Sequence, residues 1–209
     1  MKWLPMLIYF AILPGLVCAD VGRVKQRATW KSYRDAEIEK QDKDYSCGAA
    51  SLATILRYFY GIETDEAAVL EKVPNLDGDL SASFAELSMA ANRYGFKTIS
   101  VEADFKKLVQ LKIPALAYVR HEGQDHFTVI RGVDKLSGRV WLADSSWGNR
   151  FFTRHQFMRL WTTENTEMGK LLVVGPDIGI DTIQRSFFKA PPDRLELAIE
   201  LVQHSTFGL

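Results

Sequence analysis

The chain has 209 residues, which suits one domain of ordinary size with short additions at its ends. Its 26 basic and 26 acidic side chains cancel, so its charge predicts neither nucleic-acid binding nor attraction to an acidic membrane surface. Apolar residues make up 47% of the chain and aromatic residues 11%, which is enough for a packed core and excludes disorder of the whole chain.

The first 19 residues have the pattern of an export signal. An apolar run over 3–13 ends at Pro14-Gly15, and Val17-Cys18-Ala19 fits a signal-peptidase cleavage site. We therefore predict a signal peptide over 1–19 and a periplasmic or secreted location in a bacterium. Two alternatives stay open. One is an uncleaved membrane anchor, although the apolar run is shorter than the ~20 residues of a spanning helix. The other is a lipidated Cys18.

Cys47 carries the strongest chemical signal in the chain. Residues 20–37 are a polar, charged lead-in to a domain predicted over 38–176, and Cys47 lies directly before the apolar-periodic run 51–60. A helix N-terminus presents free N–H groups and a partial positive charge, which favour a thiolate over a thiol. Gln41, six residues before Cys47, supplies an amide that can stabilise an oxyanion beside the Cys47 backbone N–H. The pattern predicts a cysteine nucleophile for acyl transfer.

Removal of the signal peptide would also remove Cys18. Cys47 would then have no intrachain partner in an oxidising compartment, because the chain contains two cysteines. An unpaired cysteine in such a compartment is either an intermolecular link or a reactive thiol.

Helices dominate the first half of the domain and strands the second. Periodicity and capping signals predict three helices. The first runs from Cys47 to about Gly61 and the second from Thr64 to about Lys72. The third has a capping box at Ser83 and Glu86 and ends at Gly95. Short apolar runs then predict strands at 98–101, 115–119, 127–133, 139–143 and 171–174, with short helices at 104–111 and 154–161. This order predicts an α+β domain with a mostly antiparallel sheet.

A cysteine nucleophile needs a base within hydrogen-bond reach, and the base needs a group that orients it. His126 begins a strongly apolar strand, and Asp144 ends the next strand 18 residues later. A hairpin would bring these side chains together, with Asp144 accepting from one imidazole nitrogen while the other faces Cys47. Each residue alone also fits a structural role, as a small buried thiol, a strand histidine or a turn former.

The other candidate residues are weaker. His121 is the rival base, but we expect it to be exposed in a loop, and we expect His155 and His204 to lie on the surface. Trp147 either walls the substrate cleft or packs as a loop tryptophan. One mature cysteine and scattered histidines offer no ligand pair at the usual spacing, so we predict no metal site.

Three segments in this order, 41–56, 125–133 and 140–147, resemble the C39 peptidase family of papain-like cysteine peptidases. Members of that family include bacteriocin-processing domains that remove leader peptides after a double glycine. The resemblance covers roughly residues 38–175. It implies the papain-like fold, in which a helix that begins at the cysteine packs against an antiparallel sheet carrying the histidine and the aspartate.

The resemblance also implies a role for each matched residue. Cys47 is the nucleophile, His126 the general base and acid, Asp144 the orienting residue and Gln41 the oxyanion-hole donor. The best-known members precede membrane-spanning segments and an ATPase, and this sequence has neither a phosphate-binding loop nor a second apolar segment of spanning length. We therefore expect a free-standing exported relative without ATP, and double-glycine specificity stays open.

The predicted function is a cysteine endopeptidase that cleaves an exported or leader-type polypeptide without a cofactor. Membrane contact is expected only through an uncleaved or lipidated N-terminus. Two alternatives use the same scaffold: a transglutaminase-like acyl transferase and a non-catalytic peptide-binding or assembly factor. Residues 177–209 are predicted as a C-terminal extension with an amphipathic helix on Leu195, Ala198, Ile199 and Val202, which packs on the domain or docks a protein partner.

Overall fold

The structure is a computed structural model that describes residues 29–74, 82–162, 166–177 and 183–189. Its centre is a six-stranded sheet with the strand order β1-β6-β2-β3-β4-β5. All five neighbouring pairs are antiparallel. The strands are β1 Phe96–Ala103, β2 Ala115–His121, β3 Gln124–Val133, β4 Val140–Asp144, β5 Gly148–Phe152 and β6 Gly169–Pro176. The prediction of an α+β fold with a mostly antiparallel sheet is confirmed.

Helices cover both faces of this sheet. Ser83 and Glu86 form the predicted capping box at the start of α4, with the Ser83 N–H donating to the Glu86 carboxylate at 2.7 Å. The helix at Cys47 changes to a π-helical turn for its last part and ends near Gly61, which has a positive φ of 68°. The helical segments are α1 Trp30–Arg34, α2 Cys47–Thr54 with the π-helical turn Ile55–Phe59, α3 Glu66–Leu70, α4 Phe84–Asn92, α5 Phe105–Leu108 and α6 Arg154–Trp161.

The centre of the sheet is buried on both faces, and residues 127–132 of β3 are all buried, so the burial of this strand does not alternate along its length. Val129 of β3 packs in one core with Leu52 of α2 and Leu87 of α4. The next residue, Ile130, packs in a second core with Phe157 of α6. The two cores hold β3, and with it His126, between two helical layers.

Two elements of the fold were not predicted. The lead-in contains α1, whose N-cap Thr29 accepts from the Ser32 N–H at 3.2 Å. The edge strand β5 was missed because its sequence, Gly148 to Phe152, includes glycine, asparagine and arginine and lies largely at the surface. The helix α1 packs on β5 at Gly148, where a Cβ atom would lie 2.7 Å from the Arg34 carbonyl oxygen.

Part of the predicted C-terminal extension belongs to the domain core. Phe187 is fully buried beside Phe59, and the Gln184 N–H donates to the Phe59 carbonyl at 2.8 Å. The buried Arg131 donates to the Phe187 carbonyl at 3.2 Å and to Asn149 at 2.9 Å. The predicted signal peptide and the amphipathic stretch near Leu195 lie outside the described residues. Within the described ranges, no helix has the length and apolar character needed to cross a bilayer.

Candidate active site

Cys47 begins α2 and is buried, with 8% of its surface exposed. The preceding Ser46 donates its hydroxyl to the Lys43 carbonyl at 2.7 Å, so this hydroxyl is engaged in the turn before the helix. The next residue, Gly48, faces the sheet, where an added Cβ would lie 3.0 Å from Leu87 and 3.1 Å from Phe127. Glycine at this position therefore lets the start of α2 approach β3 closely, beside His126.

His126 and Asp144 lie together because β3 and β4 are neighbours in the sheet, with Val129 paired to Ala143. The His126 Nε2 atom is 2.8 Å from Asp144 Oδ2. The other carboxylate oxygen, Oδ1, accepts the backbone N–H groups of Ser146 and Trp147, both at 2.9 Å. The Asp144 side chain is 1% exposed, so its hydrogen bonds hold both the carboxylate and the imidazole in place.

The Cys47 side chain lies near enough to His126 for its hydrogen-bonding capacity and charge to raise the pKa of the imidazole. Asp144 engages Nε2, so Nδ1 is the imidazole nitrogen that is available to Cys47. The structure thus brings His126 and Asp144 into direct contact, with Cys47 near enough to shift the pKa of His126.

The electrostatics of the series favour a charged imidazole. Burial by itself would lower the pKa of His126, but hydrogen bonds to Asp144 and Cys47 and the negative charges of both raise this pKa from 6.5 to about 9. Burial would raise the pKa of Asp144, but the hydrogen bond and positive charge of His126 and the Trp147 N–H hold it below its usual range. An imidazolium–carboxylate pair therefore persists through neutral pH.

The raised pKa of His126 leads to a measurable prediction. In the Cys47→Ala variant we expect an imidazole NMR titration to give a lower pKa for His126 than in the wild type, because one hydrogen bond and one charge are lost. The folded-state pKa exceeds the unfolded value, so the stabilisation from His126 is complete below about pH 6.5 and is lost as the pH rises through about 9. An identical His126 titration in the two proteins would contradict the contact with Cys47.

Gln41 is held beside the turn that follows Asp144. Its side-chain oxygen accepts from the hydroxyls of Ser145 at 2.8 Å and Ser146 at 2.7 Å, and its Nε2 donates to the Lys43 carbonyl at 3.0 Å. These contacts orient the amide and use one of its two Nε2 N–H groups. Among the hydrogen bonds of the described residues, none joins Gln41 to Cys47.

Trp147 stacks directly on the candidate base. Its ring centroid is 5.1 Å from that of His126 and 4.8 Å from that of His121, and the Arg150 guanidinium lies 5.3 Å from the same centroid.

The expectation of an exposed His121 in a loop is wrong. The strand β2 extends further than predicted and carries His121, half-buried, to the Trp147 ring. His155 is exposed as expected, and His204 lies outside the described residues.

Sequence reasoning missed Ser145 and Ser146 as partners of Gln41. They are 104 and 105 residues away from it along the chain, and a serine pair after an aspartate indicates only a turn. Across the ranges that the structure describes, no group of three or more His, Cys, Asp or Glu side chains is arranged to hold a metal ion.

Comparisons with known proteins agree on one family. Residues 35–170 match the family described as the Peptidase C39 family. A protein of Pseudomonas aeruginosa named "Probable functional amyloid protease FapD" is 30% identical over 160 residues, which cover 73% of this chain and 67% of that protein. A protein of the same name from Pseudomonas fluorescens is 34% identical over 135 residues, which cover 61% of this chain and 58% of that protein. The matched part of this chain thus spans about six-tenths to two-thirds of the length of these relatives.

Solved structures show the same fold. The peptidase domain of Streptococcus ComA, a bi-functional ABC transporter involved in quorum sensing, superposes with a TM-score of 0.57 and 21% identity over 69% of this chain and 98% of that domain. A double glycine motif protease from an AMS/PCAT transporter, solved with a leader peptide, gives a TM-score of 0.56 and 22% identity over 66% of this chain and 90% of that one. The chain therefore belongs to the peptidase C39 family and is a cysteine peptidase with a papain-like α+β fold.

Proposed function

We propose that this peptidase cleaves internal peptide bonds with Cys47 as the nucleophile, His126 as the general acid and base, and Asp144 as the orienting group. The observation that carries the proposal is the contact between His126 and the buried Asp144 beside Cys47 at the start of α2, where Cys47 also raises the pKa of the imidazole. A nucleophile, a base in contact with it and a third group that orients the base are what covalent acyl transfer needs.

The proposed reaction has two halves. The Cys47 thiolate attacks the peptide carbonyl carbon, and the His126 imidazolium then gives its proton to the leaving amine as the C–N bond breaks. A water molecule next attacks the thioester while His126 takes its proton, which releases the acid product and restores the thiolate. Asp144 keeps the imidazole oriented through this cycle and stabilises its charged form before amine release and after the attack of water, and the burial of the pair strengthens the interaction.

Gln41 completes the proposed site as an oxyanion donor together with the Cys47 backbone N–H. Support comes from the two serine hydroxyls on its side-chain oxygen, which fix the oxygen end of the amide and leave the Nε2 end as the donor. Asp144 and the turn that follows it would then serve both halves of the site. The Asp144 carboxylate orients the base, and the hydroxyls of Ser145 and Ser146 orient the oxyanion donor.

The oxyanion role predicts a specific kinetic loss. Gln41→Ala should lower kcat by roughly 10²–10³ with a much smaller change in KM, because the donor acts on charge that develops in the transition state. The Ser145→Ala/Ser146→Ala double variant should show a weaker loss of the same kind, since the amide stays but is less well oriented. Steady-state kinetics on one peptide substrate measure both losses.

Ser100→Ala, at an exposed serine on the opposite edge strand β1, is the matched control, and its kcat and KM should be unchanged. A change confined to KM would contradict the assignment.

For the substrate we propose an exported polypeptide of the amyloid-forming or leader-bearing kind. The two Pseudomonas relatives bear the name of a functional amyloid protease, and the apolar segment before residue 20 has the pattern of an export signal. We place the mature protein outside the cytoplasm on the same grounds. N-terminal sequencing of the purified protein tests this, since removal of the signal peptide leaves Asp20 as the first residue.

A peptide pool tests the proposed activity directly. The protein and its Cys47→Ala variant are incubated with a diverse peptide library, with and without an added primary amine, and the products are identified by mass spectrometry. We expect new C-terminal carboxylates that depend on Cys47, with cuts inside the peptides rather than at their ends. Amide-linked products in the presence of the amine would instead assign acyl transfer, and cleavage by the Cys47→Ala variant would reject the proposal.

A further inference from the structure

A cavity, which we call the aromatic cleft, lies beside the candidate active site. It has a volume of about 810 Å³ and is bounded by α1, the β4–β5 hairpin, β5 and Lys189. Trp30 is 69% exposed and Phe151 39% exposed, whereas large aromatic side chains usually bury most of their surface. The cleft is walled by five aromatic side chains: Trp30, Tyr33, Trp141, Trp147 and Phe151. Such a concentration of apolar surface marks a site that another segment covers.

The charge of the cleft restricts what can fill it. Four cationic side chains line the cleft, Arg34, Arg131, Arg150 and Lys189, against one acidic side chain, Glu37. Arg131 pairs with Glu37, and Arg34 pairs with the neighbouring Asp35 at 2.6 Å. The cationic groups lie over the aromatic rings, with Arg34 4.8 Å from the Trp30 ring centroid and Lys189 5.5 Å from that of Trp141. A segment that fits this surface must combine apolar side chains with acidic ones.

We propose that the tail segment of this same chain, residues 190–209, occupies the aromatic cleft. Its starting point is fixed there, because Lys189 lines the cleft and its N–H donates to the Arg131 carbonyl at 3.0 Å. A helix rises about 1.5 Å per residue, so a stretch over 193–203 would extend roughly 16 Å.

The tail segment has the composition that the cleft demands. Its apolar residues recur at helical spacing, at Leu195, Ala198, Ile199 and Val202. It also carries three acidic residues, Asp193, Glu196 and Glu200, against the single basic Arg194. With the apolar stripe over the rings, Glu196 lies at the flank of the stripe and can pair with a cationic group of the cleft, whereas Asp193 and Glu200 lie on the opposite face of such a helix.

The other chain segment that adjoins the cleft has the wrong charge. Residues 20–28 come directly before Thr29 and Trp30, so they too start close to the cleft. They contain Arg23, Lys25 and Arg27 against Asp20 alone. Like charges repel at such a surface, and this favours the tail segment over the lead-in as the occupant.

The position of the cleft gives the tail segment a structural role at the active site. Trp147 lines the cleft and stacks on His126, and Ser146 lines the cleft and holds Gln41. A segment seated in the cleft therefore braces the outer side of the turn after Asp144. It packs behind the catalytic groups rather than across the Cys47 thiol.

Site-specific cross-linking in the full chain tests the proposal. A photoreactive benzophenone amino acid is placed at position 30 or 151, and the cross-linked peptides are identified by mass spectrometry after irradiation. We expect a cross-link from either position to residues 190–209 of the same molecule, which a mixture of ¹⁵N-labelled and unlabelled protein distinguishes from a link between copies. The same probe at Ile99, an exposed apolar residue on β1 at the opposite edge of the sheet, is the control and should not reach the tail segment.

Charge reversal supplies a second test that does not depend on activity. The Glu196→Lys variant should lower the cross-linking yield from position 151 several-fold, and adding Arg150→Glu should restore part of it. Glu200→Lys, on the opposite face of the helix, is the control and should leave the yield unchanged. Cross-links only to a second copy, or none to residues 190–209, would overturn the proposal, and a yield that is insensitive to Glu196→Lys would overturn the pairing of Glu196 with the cleft.

Discussion

Replacing Cys47 by alanine is expected to abolish peptide cleavage, with a loss in kcat of roughly 10⁶-fold. In the proposed mechanism the sulfur atom forms the covalent bond to the substrate, and a methyl group cannot replace it. The fold should survive the change, since the side chain is small and buried and α2 keeps its packing against β3. We expect the free energy of unfolding to change by about 1 kcal/mol. Single-turnover kinetics and thermal unfolding measure the two effects separately.

A histidine pair provides the matched control for this prediction. His126→Ala should remove nearly as much activity as Cys47→Ala, because the thiol then lacks its partner. His155→Ala changes an exposed histidine outside the site and should leave kcat unaltered. Full turnover by Cys47→Ala, with the fold intact, would move the catalytic role to another residue. Equal losses in the two histidine variants would point to a general effect on folding.

Asp144→Asn is expected to lower kcat by about 10⁴-fold, the next largest effect. The amide keeps the shape of the side chain but loses the charge that raises the pKa of His126, and it can present an N–H where Nε2 needs an acceptor. The pKa of His126 should therefore fall from about 9 in the wild type. Because the leaving amine takes its proton from the imidazolium, the alkaline limb of the pH–rate profile should move to lower pH.

The pH profile separates this role from simple loss of stability. Asp125→Asn, at the exposed carboxylate next to His126 in the sequence, is the control and should leave the alkaline limb in place. A destabilised Asp144→Asn protein would lose activity at all pH values without moving the limb. An unmoved limb in a stably folded Asp144→Asn variant would show that the carboxylate does not act through the imidazole.

Local signals explain why much of the fold was predictable. The Ser83–Glu86 capping box, the apolar run after Cys47 and the turn between β3 and β4 depend on residues a few positions apart. The contact between His126 and Asp144 was predictable for the same reason, because two strands joined by a short hairpin have few ways to pair. Signals of this kind can be recognised from a short stretch of sequence, because they do not depend on residues elsewhere in the chain.

Contacts between distant segments had no such signal. Nothing near Gln41 indicates that Ser145 and Ser146 hold its amide, and nothing near Phe187 indicates that it enters the core beside Phe59. The edge strand β5 lacks an apolar pattern because only one of its sides has a strand partner and much of it meets water.

Spacing along short stretches of chain was enough to predict the order of helices and strands, the cysteine at a helix start and the histidine–aspartate pair. The hold of the turn after Asp144 on Gln41, the place of Trp147 beside His126 and the open surface next to the site became visible in the folded protein alone. Packing and hydrogen bonding depend on distances in space and not on separation along the chain. Residues more than 100 positions apart become neighbours only when the whole sheet has formed.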